Sequence, residues 1–218
     1  MEPVLRRLFV IAFICLHGHP ALPQHPGNNQ VKLSPVKLVD PVNPALQASY
    51  ERGYAGHLST QLTFAWMHDF FSLTDFTEFR GYRTGIEQKF FSRKIVAKRY
   101  RYYTSVEFVY LDVKYNHGSF YKADTLSTTP KYLDRFAVSK QHFSINLKQG
   151  LQIPIKRFMI DIGYGAGIKF KRTRREGVDN RQAYEIGPRH PNAYYIASKE
   201  GDEVAGNIPI TIRIGYTF

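Results

Sequence analysis

The sequence predicts an all-β fold, an eight-stranded antiparallel transmembrane β-barrel, and three observations predict it. Residues 207–218 (NIPITIRIGYTF) place Ile208, Ile210, Ile212, Ile214, Tyr216 and Phe218 on one face of an extended strand, against Asn207, Pro209, Thr211, Arg213, Gly215 and Thr217 on the other. Such period-two alternation marks a strand whose two sides meet different solvents. Residues 158–171 repeat it, with Phe158, Ile160, Ile162, Tyr164, Ala166, Ile168 and Phe170 opposite Met159, Asp161, Gly163, Gly165, Gly167, Lys169 and Lys171. Finally, the connections between such segments alternate in length, comparatively short at one end and longer at the other, the first long-end loop excepted. Barrels that cross a bilayer sort their turns and loops this way.

The elements follow in order. Residues 31–38 read as the first strand, with the phase broken near Pro35, and the turn-rich DPVNP occupies 40–44. Residues 45–52 set Leu46, Ala48 and Tyr50 against Gln47, Ser49 and Glu51. After the turn GYAG at 53–56, residues 57–67 set Leu58, Thr60, Leu62, Phe64 and Trp66 against His57, Ser59, Gln61, Thr63 and Ala65. An aromatic loop, 68–78, precedes a fourth strand at 79–91. There Tyr82, Ile86 and Phe90 point one way and Arg83, Gly85, Glu87 and Lys89 the other. The basic link SRKIVAK, 92–98, leads to a fifth strand at 99–117 that changes phase. Val106, Phe108 and Tyr110 share one face, and Leu111, Val113 and Tyr115 follow on the other. A β-bulge near Tyr110 or Leu111 would restore the apolar face.

A polar loop is expected at 118–135, then a sixth strand at 136–153. Phe143, Ile145, Leu147, Leu151 and Ile153 stand opposite His142, Ser144, Asn146, Lys148 and Gln152. A short turn at 154–157 joins the seventh strand. A long charged loop, 172–206, then leads into the last.

Composition narrows the setting. A chain of 218 residues, 43% hydrophobic, is enough for one closed barrel. The aromatics are weighted to Tyr (15) and Phe (16), rings that suit strands and membrane interfaces. The net charge of +12 invites nucleic acid, but Lys and Arg alternate with apolar residues or sit in turns and form no single basic face. Nucleic acid is not expected as a partner.

Residues 1–24 read as a secretory signal: Arg6 and Arg7 precede the short apolar run 8–16, and Ala21 offers a small residue for cleavage. The barrel domain is then 25–218. Ile14 stands where a lipoprotein signal wants a small residue, so Cys15 leaves with the signal and the mature chain has no cysteine. No later run reaches the ~20 apolar residues of a membrane helix. Any crossing is made by strands, and the expected location is the outer membrane of a Gram-negative cell.

The sense of the barrel comes from its polar face, where opposite charges mix with small residues: Glu51, Arg83, Glu87, Lys89, Glu107, Lys148, Asp161, Lys169 and Arg213. Buried charges are tolerated when paired, so an ion-pair network is expected inside a narrow lumen. Eight strands enclose a space that side chains just about fill, which argues against a general porin. The alternative is a soluble lipocalin-like periplasmic carrier, in which the apolar face points inward.

Four stretches carry a family resemblance: VKLSPVKLV and ALQASYERGY near the start, FRGYRTGIEQKFFS with its basic link, and FMIDIGYGAGIKF before IPITIRIGYTF. Over 31–218 the chain resembles small Bacteroidota-type outer-membrane barrels grouped as a domain of unknown function, similar in architecture to OmpX and the OmpA transmembrane domain. The resemblance implies an outer-membrane barrel and no activity. Tyr216 and Phe218 also resemble the terminal aromatic signal read by the barrel-assembly machinery.

Chemistry is sparse. His142 and Ser144 form a His-x-Ser on one strand face, similar to the pair used by barrel-embedded lipid A deacylases. Both fall on the lumen side, whereas a lipid-cleaving site should open to the bilayer. No enzyme activity is expected, and a lipid A hydrolase stays as the alternative. Neither metal-ligand spacing nor a cofactor motif stands out; Gly163, Gly165 and Gly167 sit on a strand face, where crowding explains them better than phosphate cradling. In KFKRTRR, 169–175, Arg172, Arg174 and Arg175 are candidates for lipopolysaccharide phosphate. The loop 172–206, with Tyr184, Tyr194 and Tyr195, is the expected surface for a partner that the sequence does not name.

Overall fold

A computed structural model describes residues 29–40, 43–54, 57–68, 77–92, 100–122, 132–177, 184–188 and 200–218. The expected signal at 1–24, with Cys15, and Tyr194 and Tyr195 lie outside the described residues.

Ten strands are present among the described residues: β1 (Asn29–Leu33), β2 (Ala45–Tyr54), β3 (Leu58–His68), β4 (Thr77–Phe91), β5 (Arg101–Lys122), β6 (Tyr132–Ile155), β7 (Phe158–Glu176), β8 (Tyr184–Pro188), β9 (Gly201–Asn207) and β10 (Ile210–Thr217). Each pairs antiparallel with its sequence neighbour from β1 to β7. β9 and β10 both pair with β7, and β10 closes the ring on β1. β9 and β10 are thus one stave interrupted at Ile208 and Pro209, where proline has no N–H to give the ladder. Gly165 N–H still donates to the Pro209 carbonyl at 3.0 Å, so the break is local. The result is a closed eight-stave barrel, with β8 laid against the far end of β5.

The first strand ends earlier than its sequence suggests. β1 stops at Leu33, and residues Pro35–Lys37 form a 3-10 turn closed by Leu38 N–H on the Pro35 carbonyl at 3.1 Å. The loops 118–135 and 172–206 are shorter than expected, because β5, β6 and β7 run to 22, 24 and 19 residues and β9 takes seven more. A barrel strand needs only about 9–11 residues to cross a bilayer, so β5 to β7 overreach the barrel at the long-loop end. The two-residue turn Lys156–Arg157 is as short as expected, but the link 92–100 matches the opposite loops in length.

The bulge expected at Tyr110 or Leu111 is absent. β5 stays in unbroken register with β4 from Lys114 back to Tyr103 and with β6 throughout, and the only shift against β4 lies between Thr77 and Arg80. Alternation therefore carries Val109, Leu111, Val113 and Tyr115 inward, where each is at most 3% exposed. Leu111, Val113 and Tyr115 join Ala45, Ala65, Met67, Phe79, Phe136 and Val138 in an apolar cluster that fills the long-loop half of the lumen. The phase change marks a lumen that turns apolar toward one end. Leu111→Ala should then cost about 2–5 kcal/mol in a urea unfolding titration, as a buried truncation does. Phe108→Ala, on the outer face at 42% exposure, should cost far less; a larger loss at Phe108 would restore the bulged register.

Candidate functional site

The polar half of the lumen is the most organised constellation in the chain. The period-two rule sends one residue from nearly every stave to the same inner layer: Lys32 on β1, Glu51 on β2, Gln61 on β3, Glu87 and Lys89 on β4, Glu107 on β5, Lys148 on β6, Asp161 on β7 and Arg213 on β10. None is more than 3% exposed.

Two linked clusters form. In the first, Lys32 Nζ donates to Glu51 Oε2 at 2.6 Å and to Asp161 Oδ2 at 2.5 Å, and Lys89 Nζ donates to the same two oxygens at 2.8 and 2.6 Å. The remaining acceptor oxygens are also used. Tyr103 donates its hydroxyl to Asp161 Oδ1 at 2.6 Å, while Ser59 and Gln152 donate to Glu51 Oε1 at 2.8 and 3.1 Å. The Lys89 ammonium lies 4.5 Å from the Tyr103 ring centre, a cation–π contact inside the plug. In the second, Arg213 Nη1 donates to Glu87 Oε2 at 3.0 Å and Lys148 lies 3.1 Å from Glu87 and 3.2 Å from Glu107. Arg213 Nη2 reaches Glu107 at 3.6 Å, and its Nη1 lies 3.8 Å from Asp161, which joins the clusters.

Charge balance explains why this layer is tolerated. Lys32, Lys89, Lys148 and Arg213 face Glu51, Glu87, Glu107 and Asp161, four against four. Removing charges from water costs several kcal/mol per ion, offset only by close pairing and full hydrogen bonding. Close pairing is met across the barrel axis, while Arg213 Nε and Gln152 Oε1 are buried without a hydrogen-bond partner among the described residues. The layer therefore cross-links staves that have no backbone contact, such as β4 with β7 and β10.

The sequence-predicted residues divide. Glu51, Glu87, Lys89, Glu107, Lys148, Asp161 and Arg213 are brought together. Arg83 and Lys169 are not: both sit farther toward the long-loop end, only half-buried, without an ion pair among the described residues. The reason is height, because Arg83 lies level with Leu111 and Lys169 with Ser144, beyond the carboxylate layer. Sequence reasoning missed Lys32, whose strand is five residues long and too short to show a period. It also missed Tyr103, an aromatic on a face expected to be polar.

Arg172, Arg174 and Arg175 are split by parity. Arg172 and Arg174 are exposed on the outer face, and Arg172 is engaged by Asp202 at 2.9 Å. Arg175 turns to the other face and lies 4.7 Å from the centre of the buried Phe136 ring. Ser144 is 2% exposed in the lumen wall, and neither it nor His142 forms a side-chain hydrogen bond among the described residues. Glycine at 165 and 167 is required by crowding, since a Cβ would strike the Leu147 carbonyl or Asn146 on β6. No group of three or more metal-ligating side chains occurs among the described residues.

The outer surface is opposite in kind. Leu46, Phe64, Trp66, Phe90, Phe108, Leu147, Tyr164, Ile168, Ile210 and Ile214 are exposed, and large apolar residues of this kind outnumber the buried ones. Tyr216 and Phe218 lie on this surface beside β1, with Phe218 N–H donating to the Asn29 carbonyl at 3.1 Å. Two grooves mark it. One, about 610 Å³, is lined by Phe90, Tyr102, Leu151, Ile162 and Tyr164; the other, about 410 Å³, by Tyr110, Phe143, Phe170, Arg172 and Val204.

No family model matches the chain, and no curated protein matches it. The resemblance to small Bacteroidota-type barrels thus has no family match behind it. Among solved structures, a major outer membrane protein from Thermus thermophilus is similar at a TM-score of 0.40 and 10% identity, over 87% of this chain and 99% of that one.

Asp161→Asn leaves two buried lysines short of a counter-charge and should lower stability by about 3–5 kcal/mol in urea unfolding. The double change Lys32→Met with Asp161→Asn removes one charge of each sign and should recover part of that loss. Additive losses would show that Lys32 and Asp161 do not act as a pair.

Proposed function

We propose that this chain is an integral outer-membrane β-barrel with a structural or surface-interaction role, exported by its N-terminal signal and closed to general diffusion. The observation that supports it is the inverted polarity: paired charges fill the lumen, and apolar side chains cover the outside. In water an apolar exterior of this extent would drive aggregation, whereas in a bilayer it is the required surface. A lipocalin-like carrier needs the opposite sense.

In this reading lipid and lipopolysaccharide are the immediate partners. Acyl chains lie against the two outer grooves, and the outward Arg172 and Arg174 meet lipopolysaccharide phosphate at the rim, with Arg172 partly neutralised by Asp202. Tyr216 and Phe218 present the terminal signal to the barrel-assembly machinery. The long-loop end, built on the overreaching β5 to β7, is the surface for any protein or glycan partner.

The reading assigns no catalysis to His142 and Ser144. Ser144→Ala should leave the lipid A profile unchanged by mass spectrometry; loss of a deacylated species would make the chain a hydrolase.

Membrane residence is tested on the detergent-extracted chain. Unboiled protein should migrate differently from boiled protein on a gel, and planar bilayers containing it should show little or no steady conductance. Release into buffer without detergent would defeat the location, and large stable currents would defeat the closed lumen.

A further inference from the structure

Beyond the balanced layer the lumen carries a second set of charges, in which cations predominate among the described residues. Inward positions of β6 and β7 hold Lys140, His142, Lys169, Lys171 and Thr173, and Arg83 comes from β4. Cross-strand register puts Lys140 opposite Thr173 and His142 opposite Lys171, while Leu111 stands between His142 and Arg83. Lys169 follows one inward step along β7, opposite Ser144, so these inward positions of β6 and β7 form one contiguous patch.

Glu203 meets Lys171 at 2.8 Å and is 47% exposed. Glu107, an acid that acts on Arg83, is already engaged by Lys148, Arg213 and Asn146. Lys140 and Lys169 have no ion pair among the described residues. Lys140 is nonetheless only 7% exposed, and the Thr173 hydroxyl and His142 Nδ1 are buried beside it without a hydrogen-bond partner. Buried cations in surplus are costly unless an anion neutralises them, and unpaired donors at the same spot supply directional bonds to such an anion.

We propose that this cluster is a binding site for a phosphate group. Three ammoniums and a guanidinium suit a compact, multiply charged oxyanion, and the Thr173 hydroxyl adds a neutral donor. Free phosphate can arrive with the solvent that reaches the half-buried Lys169 and Arg83. A lipid headgroup phosphate can come from the side, because β9 has β7 as its one strand neighbour among the described residues and β1 ends at Leu33. The site lies within the lumen and does not depend on the outward Arg172 and Arg174.

The test uses the full chain in a maltoside detergent, prepared without phosphate. Inorganic phosphate is titrated calorimetrically at constant ionic strength set with chloride, and mixed micelles containing phosphatidic acid form the second arm. Saturable binding in either arm, weakened at least tenfold in Lys140→Met, supports the site; the arm that binds identifies the source. Should Lys140→Met lose the heat-dependent gel shift of a folded barrel, Lys169→Met at a half-buried position decides by the same criterion. Absence of binding in both arms, or equal binding by folded wild type and variant, overturns the proposal. The gel shift of the wild type reports membrane-barrel folding separately, so the two readings fail independently.

Discussion

The neutral layer of Lys32, Lys89, Lys148 and Arg213 against Glu51, Glu87, Glu107 and Asp161 is the constraint on which the rest of the barrel depends. The half of the lumen toward the short turns has no apolar core, so its interior must be satisfied bond by bond. Here both carboxylate oxygens of Asp161 and of Glu51 are taken. The backbone ladder fixes each stave to its neighbours, and the layer fixes staves that are not neighbours. That matters most at the seam, where β1 meets β10 over only four residue pairs. Lys32 on β1 reaches Glu51 on the next stave and Asp161 across the lumen, pinning the shortest strand of the ring from the inside.

Much of this architecture is legible in the sequence, and the reason is the pleat. A strand with different solvents on its two faces writes its orientation into every second residue, as 158–171 and 210–217 show. The eight staves, their antiparallel order and seven of the paired lumen charges follow from that rule. Where the rule has too few residues, or where both faces are apolar, it fails. Lys32 is hidden by a five-residue strand ending before Pro35. Leu111, Val113 and Tyr115 suggest a bulge only because a uniformly polar lumen leaves them no other place. β9 is lost in a charged loop, since Asp202 and Glu203 mask an edge strand and also protect it from further pairing.

The lumen is layered. A neutral plug occupies the half toward the short turn at Lys156, and an apolar cluster with a basic wall occupies the half toward the long loops. The plug gives rigidity by tying together staves that are not neighbours. In the second half Leu111 and Val113 on β5 stand directly beside His142 and Lys140 on β6, so apolar and basic groups share one wall.

Trp66 tests the account directly, because it is the sole tryptophan of the chain and is 51% exposed on the outer face of β3. Protein reconstituted in vesicles should show Trp66 fluorescence strongly quenched by brominated acyl chains and little affected by aqueous acrylamide. Quenching by acrylamide with indifference to brominated lipid would put that face in water and contradict the proposed sense of the barrel.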